Sequence, residues 1–229
     1  MIKLFRIIKN FKNVRRKKKI FLGGNKMMDR VKAKESAKIQ LKGRWGGAIV
    51  ACLVLSIAIF AMSFVSLLPF VGWIITAILG GVWPLGMAIY TLRFANGESV
   101  GTGDIFGGFN NLIASFCVYF LTGLFTFLWS LLLIIPGIIK AISYSMSYYV
   151  LADNPELSAM EAINKSKEIT QGHKWDIFVT YLSFIGWTLL ASLTLGIGYL
   201  WLVPYMNITM ANIYNQLNKK ESSLAEMAQ

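Results

Sequence analysis

Three long runs of uncharged residues dominate the chain. Residues 45–92 and 105–152 each provide 48 positions, the second interrupted only by Lys140, and residues 177–218 provide another 42. A helix that spans a bilayer needs ~20 apolar residues, so each run is long enough for two spans and a tight turn. The pattern predicts an all-α, polytopic membrane protein with six transmembrane helices arranged as three hairpins.

Turn-forming residues divide each run near its middle. They are Pro69 in the first run, Pro136 and Gly137 in the second, and segment 194–198 in the third. Pro and Gly are the strongest local breaks in a helical pattern. The predicted spans are 46–67, 71–92, 112–134, 138–152, 177–193 and 199–217. In the second span, a kink or a close helix contact is allowed by Gly80, Gly81, Pro84 and Gly86.

Composition supports a membrane environment. The 229 residues are 55% hydrophobic and 15% charged, whereas soluble domains carry about 25% charged residues. Mean hydropathy is +0.56. This composition excludes a disordered chain, and having only Cys52 and Cys117 excludes a disulfide scaffold. Both cysteines fall inside predicted spans, where we expect them to act as small packing residues.

Positive charge is concentrated at the N-terminus. A net charge of +12 would fit a nucleic-acid-binding protein, but residues 1–44 hold 16 of the 23 basic residues and the remaining chain is nearly neutral. Nucleic acid is therefore not an expected partner. The predicted hairpin tips carry no Lys or Arg, so the positive-inside rule places them outside and both termini in the cytoplasm. The predicted divisions are a basic extension (1–26), a cytoplasmic basic helix (27–44), a six-span membrane domain (45–218) and a cytoplasmic tail (219–229).

The basic extension has two interpretations. Leu4, Ile7 and Phe11 recur at helical spacing among basic residues, which fits an amphipathic helix on an anionic membrane surface. Alternatively, Gly23-Gly24 can be encoded by a ribosome-binding sequence, and translation would then begin at Met27 or Met28. Both interpretations remain open at this point.

Capping residues mark two of the connections between hairpins. Asp104 is predicted to cap a helix that begins at Ile105, and Ser158 with Glu161 has the spacing of a capping box. The helix after Ser158 is predicted to end near Gly172. We expect it to lie along the cytoplasmic interface, either as a solvated connector or as a surface for a partner.

The sequence offers little catalytic chemistry. His173 is the only histidine and is predicted to be an interfacial polar residue, and no cluster of His, Cys and carboxylates has metal-ligand spacing. No carboxylate lies inside a predicted span, so none is available for buried proton coupling. The expectation is a non-enzymatic protein with no cofactor and no metal.

Polar side chains inside the spans form the candidate site. Five of them share one helical face of the fourth span through i, i+3, i+4, i+7 and i+8 spacing, and others lie in the sixth. The candidate residues for contact with lipid or substrate are Lys140, Ser143, Tyr144, Ser147, Tyr148, Asn207, Thr209 and Asn212. The alternative is hydrogen bonding between helices that only supports packing. For Lys140 the alternative is a side chain that extends to the outer headgroups.

Several short motifs carry a family resemblance. They are Lys38-Ile39-Gln40-Leu41-Lys42-Gly43-Arg44-Trp45, Pro84-Leu85-Gly86, Gly97-Glu98, Asp104-Ile105-Phe106-Gly107-Gly108-Phe109, Ile135-Pro136-Gly137-Ile138-Ile139-Lys140, Tyr144-Ser145-Met146, Ala152-Asp153-Asn154-Pro155, Ser166-Lys167 and Gly172-His173-Lys174-Trp175. From about residue 28 the chain resembles the bacterial integral-membrane family known as domain of unknown function 975. The resemblance implies a multipass membrane location and no agreed activity, so no catalytic residue is transferred.

Two functional hypotheses follow from these observations. The first is an accessory or protective protein of the bacterial cytoplasmic membrane that acts through contacts with helices, lipids or a partner. The second is a small transporter or permease with a polar path along the fourth and sixth spans. The expected partners are membrane lipids, together with either a membrane-protein partner or further copies of the chain.

Overall fold

The structure is a computed structural model that describes residues 28–68 and 70–226, with side chains described up to Lys219. The predicted basic extension, residues 1–26, lies outside the described residues. Within the described part the chain forms helices and no strand. The helices are α1 (Arg30–Leu41), α2 (Trp45–Val65), α3 (Val71–Leu79), α4 (Val82–Ala95), α5 (Leu112–Leu132), α6 (Ile134–Tyr144), α7 (Ser147–Asp153), α8 (Ala159–Ile169), α9 (Lys174–Leu193) and α10 (Tyr199–Glu226), with a 3₁₀ helix (Thr102–Asn111) between α4 and α5.

The predicted all-α class is confirmed. Five segments are long and apolar enough to cross a membrane by length and composition, namely Trp45–Val65, Val71–Ala95, Thr102–Leu132, Ile134–Asp153 and Lys174–Leu193. Their surfaces carry large exposed apolar side chains, including Phe60, Leu131 and Leu189. These features are compatible with a membrane protein. The helix that contains the sixth predicted span, α10, is not among the five.

The turn between α5 and α6 lies earlier than the sequence predicts. Leu133 alone is extended, with φ −161° and ψ 142°, and α6 begins at the next residue. Pro136 and Gly137 are therefore inside α6, and the prediction of a turn at these residues is wrong. Proline is tolerated here because the first N–H groups of a helix have no intrahelical partner to lose.

The helix cap predicted at Asp104 is also wrong. The 3₁₀ helix begins at Thr102, after Gly101, so Asp104 is its third residue. The Asp104 carboxylate accepts a hydrogen bond from the Gly101 N–H at 2.8 Å, and Arg93 Nη1 donates to its other oxygen. Asp104 thus joins the start of the 3₁₀ helix to the end of α4.

Close backbone contacts at glycines hold α4 against its neighbours. A Cβ on Gly86 would lie 1.7 Å from the carbonyl oxygen of Ile105 in the 3₁₀ helix. A Cβ on Gly81 would lie 2.1 Å from the carbonyl oxygen of Ser115 in α5. Only glycine permits this approach, because it has no Cβ. The close contact predicted for the second span is confirmed at both glycines.

The last helix forms the centre of the packing. α10 contacts α1, α2, α4 and α9, and Ile208, Ala211 and Tyr214 on it are fully buried. At the end of the bundle that holds α1, the side-chain amides of Gln40 and Asn212 exchange two hydrogen bonds, at 2.8 and 3.3 Å. A polar contact therefore links the first described helix to the last.

The capping box at the start of α8 is confirmed. The hydroxyl and N–H of Ser158 donate to Glu161 Oε2 at 2.7 and 2.9 Å. These hydrogen bonds hold the pKa of the Glu161 carboxyl below its usual value. The helix ends at Ile169, earlier than the predicted Gly172.

The expectation that α8 is a solvated connector is wrong. Its residues Ala162, Ile163 and Ser166 are fully buried. The Ser166 hydroxyl donates to the Ser143 carbonyl at 2.8 Å, near the point where α6 ends. The short apolar edge of α8 is therefore sufficient to pack it against α6.

We predict that Gly86→Ala destabilises the protein by about 3 kcal/mol or more, the upper end of the range for overpacking. The loss is large because the added Cβ would meet the Ile105 backbone, which cannot move away as a side chain can. Gly123→Ala in α5 is the matched control, since nothing lies within 4 Å of its ideal Cβ. We expect it to be neutral or stabilising by about 0.5–1 kcal/mol. Thermal unfolding midpoints in detergent compare the two variants, and equal midpoints would contradict the proposed contact.

Candidate binding cavity

Two predicted site residues of the fourth span lie against α8 and not against a cavity. Ser143 and Tyr144 are almost fully buried at the end of α6. The Ser143 hydroxyl donates to the Ile139 carbonyl at 2.8 Å, and the Lys167 ammonium lies 5.6 Å from the centre of the Tyr144 ring. The immediate surroundings of both residues are therefore packing contacts.

Lys140 lies near the middle of α6, one turn before Tyr144. Its ammonium is 4.6 Å from the centre of the Trp129 ring, on the preceding helix α5. A cation over an indole face is stabilised by the quadrupole of the ring. The residue is half-buried and does not line either of the cavities described below.

Thr209 and Asn212 on α10 have partners within the protein. The Thr209 hydroxyl donates to the Tyr205 carbonyl at 2.7 Å. Asn212 donates to the Ile208 carbonyl at 2.9 Å in addition to its exchange with Gln40. These contacts satisfy polar groups on the most buried part of α10.

The predicted polar face of the fourth span is not continuous, because the helix is interrupted at Ser145–Met146. Ser147 follows the interruption, and its hydroxyl is fully buried without a hydrogen-bond partner among the described residues. Tyr148 points away from the Ser143 environment and lines a cavity together with Asn207 from α10. The structure thus brings together one predicted residue from each of the two spans.

This cavity, which we name the tyrosine cavity, has a volume of about 550 Å³. It lies between α2, α4, α7, α9 and α10. Its walls are mostly apolar, and its polar side-chain atoms come from tyrosines, one tryptophan, one serine and one asparagine. The lining residues are Leu55, Ile59, Gly80, Trp83, Pro84, Met87, Ala88, Ser145, Tyr148, Tyr149, Tyr181, Val203, Met206, Asn207 and Met210.

Hydrogen bonds fix several polar groups of the tyrosine cavity. The Tyr149 hydroxyl donates to the Asn207 carbonyl at 3.2 Å, and the Asn207 amide donates to the Val203 carbonyl at 2.9 Å. Tyr181 on α9 interacts with the hydroxyl of Ser145, which itself donates to the Ile142 carbonyl at 2.8 Å. A preformed apolar volume with a few oriented polar groups is typical of a small-molecule site.

Helix irregularities surround the tyrosine cavity. α3 and α4 are separated at Gly80–Gly81, α6 and α7 at Ser145–Met146, and α10 contains Pro204. From residue counts, Ser145 and Asn207 lie about 16 and 12 Å along their segments from the nearer hairpin turns. Non-helical backbone at that depth of a bilayer is tolerated where protein buries it or where it lines a cavity.

A second cavity of about 650 Å³ lies beside the opposite face of α4, where Leu85, Ile89 and Arg93 line it with residues of the 3₁₀ helix. Arg93 is paired there with Asp104 and, at 2.9 Å, with Glu98. Its charge is therefore already compensated, which makes this cavity the weaker candidate for a charged ligand.

Sequence reasoning missed Ser145, Tyr149 and Tyr181. Tyr149 and Tyr181 do not belong to the polar faces that were predicted from helical spacing. In the sequence they resemble ordinary aromatic packing residues. Their grouping depends on the packing of α7, α9 and α10 around one cavity. Ser145 and Tyr148 are three residues apart and so lie about 60° apart around a helix, on the same side, but spacing within one helix gives no information about Tyr181 on α9.

The described part of the chain holds no group of three or more His, Cys, Asp or Glu side chains that could bind a metal ion. His173, predicted to be an interfacial polar residue, is 6% exposed, and its Nδ1 lies 3.7 Å from Asp176 Oδ2.

In its described part the chain is helical and has five segments that could span a membrane, which is compatible with the class of multipass membrane proteins. The particular family follows from its sequence. The chain belongs to the family described as Protein of unknown function (DUF975), which it matches over residues 27–143 and 131–221. No curated protein and no solved structure matches the chain.

We predict that Lys140→Met leaves the amount of folded protein nearly unchanged and lowers stability by about 0.5–1 kcal/mol, the value of an exposed cation–π pair. Lys140→Arg should retain the wild-type thermal unfolding midpoint, because guanidinium also stacks on indole. If Lys140→Met instead abolished binding of an anionic lipid at an unchanged midpoint, Lys140 would be a ligand-binding residue.

Proposed function

We propose that the protein is a non-catalytic, multipass protein of the bacterial cytoplasmic membrane that acts as an accessory or protective protein by holding lipid and contacting partner helices. The observation that carries this proposal is the tyrosine cavity, because its apolar walls fit an acyl chain and its hydroxyls fit a polar group attached to it. Large exposed apolar side chains on α2, α5 and α9 add a broad surface for lipid or for another helix.

The proposal includes six spans with both termini in the cytoplasm. α10 is less apolar than the other spans, but its polar groups have internal partners and Ile208, Ala211 and Tyr214 are buried. A helix of this kind can cross a bilayer inside a bundle, since the cost of polar groups arises from contact with hydrocarbon. Its predicted span 199–217 is ~28 Å long, close to the ~30 Å hydrocarbon thickness.

A small transporter is the second candidate function. It is favoured by the two interrupted helices and by Pro204 in α10, all beside the tyrosine cavity, because discontinuous helices near the bilayer midplane form the binding sites of many transporters. In this case the occupant would be a polar solute held by Tyr148, Tyr181 and Asn207. The two functions therefore differ in the chemistry of what occupies the cavity.

We predict that Met206→Trp reduces the lipid that copurifies with the protein, because the larger side chain occupies the tyrosine cavity. Leu190→Trp is the matched control, since Leu190 is 56% exposed on α9 and does not line the cavity. Bound molecules would be extracted and identified by mass spectrometry from samples with equal unfolding midpoints. Equal lipid retention in both variants would contradict the lipid proposal, and a polar solute lost only from Met206→Trp would favour the transporter.

We predict that cysteines placed at Ser66 or Thr194 are labelled by an impermeant maleimide in intact cells, while one at Gln171 is labelled only after lysis. Cys52 and Cys117 would first be replaced by Ala to remove background. Gln171 is chosen because it is exposed next to α8, so its protection in intact cells reports the side of the membrane. Labelling of Gln171→Cys from outside would overturn the proposed orientation.

A further inference from the structure

The side of α1 that faces α9 carries three basic residues. Arg30, Lys34 and Lys38 are four residues apart and therefore follow one stripe along the helix. Arg30 lies 3.6 Å from the Asp176 carboxylate on α9, so its charge has a partner. Lys34 and Lys38 add two further positive charges along the same side of α1, beside the groove between α1 and α9.

Lys34 occupies an unusual position for a charged group. Its ammonium donates to the Ser183 hydroxyl at 2.5 Å and lies 4.4 Å from the centre of the Phe184 ring. Ser183 is nine residues beyond the start of α9, which corresponds to ~14 Å along a helix that is apolar enough to span a membrane. The lysine head therefore contacts α9 well inside the proposed span.

The protein provides no anion to balance this charge within its described part. Among the described side chains, the ion pairs involve other residues, and no carboxylate pairs with Lys34. A hydroxyl and an aromatic ring orient an ammonium without neutralising it. Burial, followed by repulsion from Lys38 and Arg30, lowers the pKa of Lys34 below its usual value.

The surroundings of this groove match an amphipathic anion. Trp187, one turn beyond Ser183 on the same face of α9, is 61% exposed and provides apolar surface. A cation near the membrane core is tolerated when headgroups or water are drawn toward it. An anionic phospholipid meets both requirements, because its phosphate can pair with the lysines while its acyl chains cover α9.

We infer that the groove between α1 and α9 is a binding site for the phosphate of an anionic phospholipid, with Lys34 as the main contact and Lys38 beside it. This inference rests on the proposed membrane location but concerns a site separate from the tyrosine cavity. It accounts for a basic residue placed against an apolar helix without a counter-ion from the described chain.

The test measures binding of phosphatidylglycerol and of phosphatidylcholine with the same acyl chains to the detergent-solubilised full chain by native mass spectrometry. We expect phosphatidylglycerol to bind more tightly to wild type, Lys34→Gln to weaken it roughly fivefold or more, and Lys34→Arg to retain it. Lys32→Gln is the control of equal charge, because Lys32 is exposed on the other side of α1. Lys34→Gln should fold normally, since it removes a desolvated and repelled charge, and its unfolding midpoint verifies this.

Three results would overturn the inference. They are no preference for phosphatidylglycerol, equal weakening by Lys32→Gln and Lys34→Gln, and equally tight binding of soluble glycerol phosphate, which would indicate a site for free phosphate. The cavity variant Met206→Trp is measured in the same experiment. If it loses its copurifying lipid while Lys34→Gln has no effect, only this inference fails and the proposed function remains.

Discussion

The close approach of backbones around α4 is the constraint on which the rest of the structure depends. Gly86 and Gly108 allow α4 and the 3₁₀ helix to touch through their main chains, since a Cβ on Gly108 would lie 2.1 Å from the Val82 carbonyl oxygen. One face of α4 therefore packs against the 3₁₀ helix, and the opposite face, with Met87 and Ala88, lines the tyrosine cavity. The cavity lies on the side of α4 away from the 3₁₀ helix, between α4, α2 and α10.

Many hydroxyl groups in this apolar chain donate hydrogen bonds to carbonyl groups of their own helix. Thr91, Thr180 and Thr209 each donate to the carbonyl four residues earlier, at 2.7–2.8 Å. This pattern hides a hydroxyl within its own helix and frees the helix surface for packing. The hydroxyls and amides at the tyrosine cavity and at the Gln40–Asn212 contact differ, because they join separate helices. Contacts of this kind, which include the Ser166–Ser143 hydrogen bond, are where polarity contributes specificity to the fold.

The sequence predicted the helical class, the breaks at Pro69 and at 194–198, which fall between α2 and α3 and between α9 and α10, and the capping box at Ser158, because each depends on local residue types. The predicted turn at Pro136 was wrong, because a proline at this position was compatible with two structures. Pro136 can end a helix or lie in its first turn, and the choice depends on the extended Leu133 next to it. The grouping of Tyr148, Tyr181 and Asn207 was beyond local patterns, because it results from packing between residues far apart in the chain. Likewise, the weak apolar edge of α8 gave no sign that Ser166 would be fully buried.

The position of α1 has a consequence for how the chain reaches its final form. The backbone N–H of Asp29 donates to the Gln216 side chain, and Gln40 pairs with Asn212, so these contacts join residues 187 and 172 positions apart. During synthesis α1 leaves the ribosome first, but its docking surface on α10 is made last. α1 therefore lacks these partners on α10 until nearly the whole chain has been synthesised. Its docking is a late assembly step that only a full-length chain can complete.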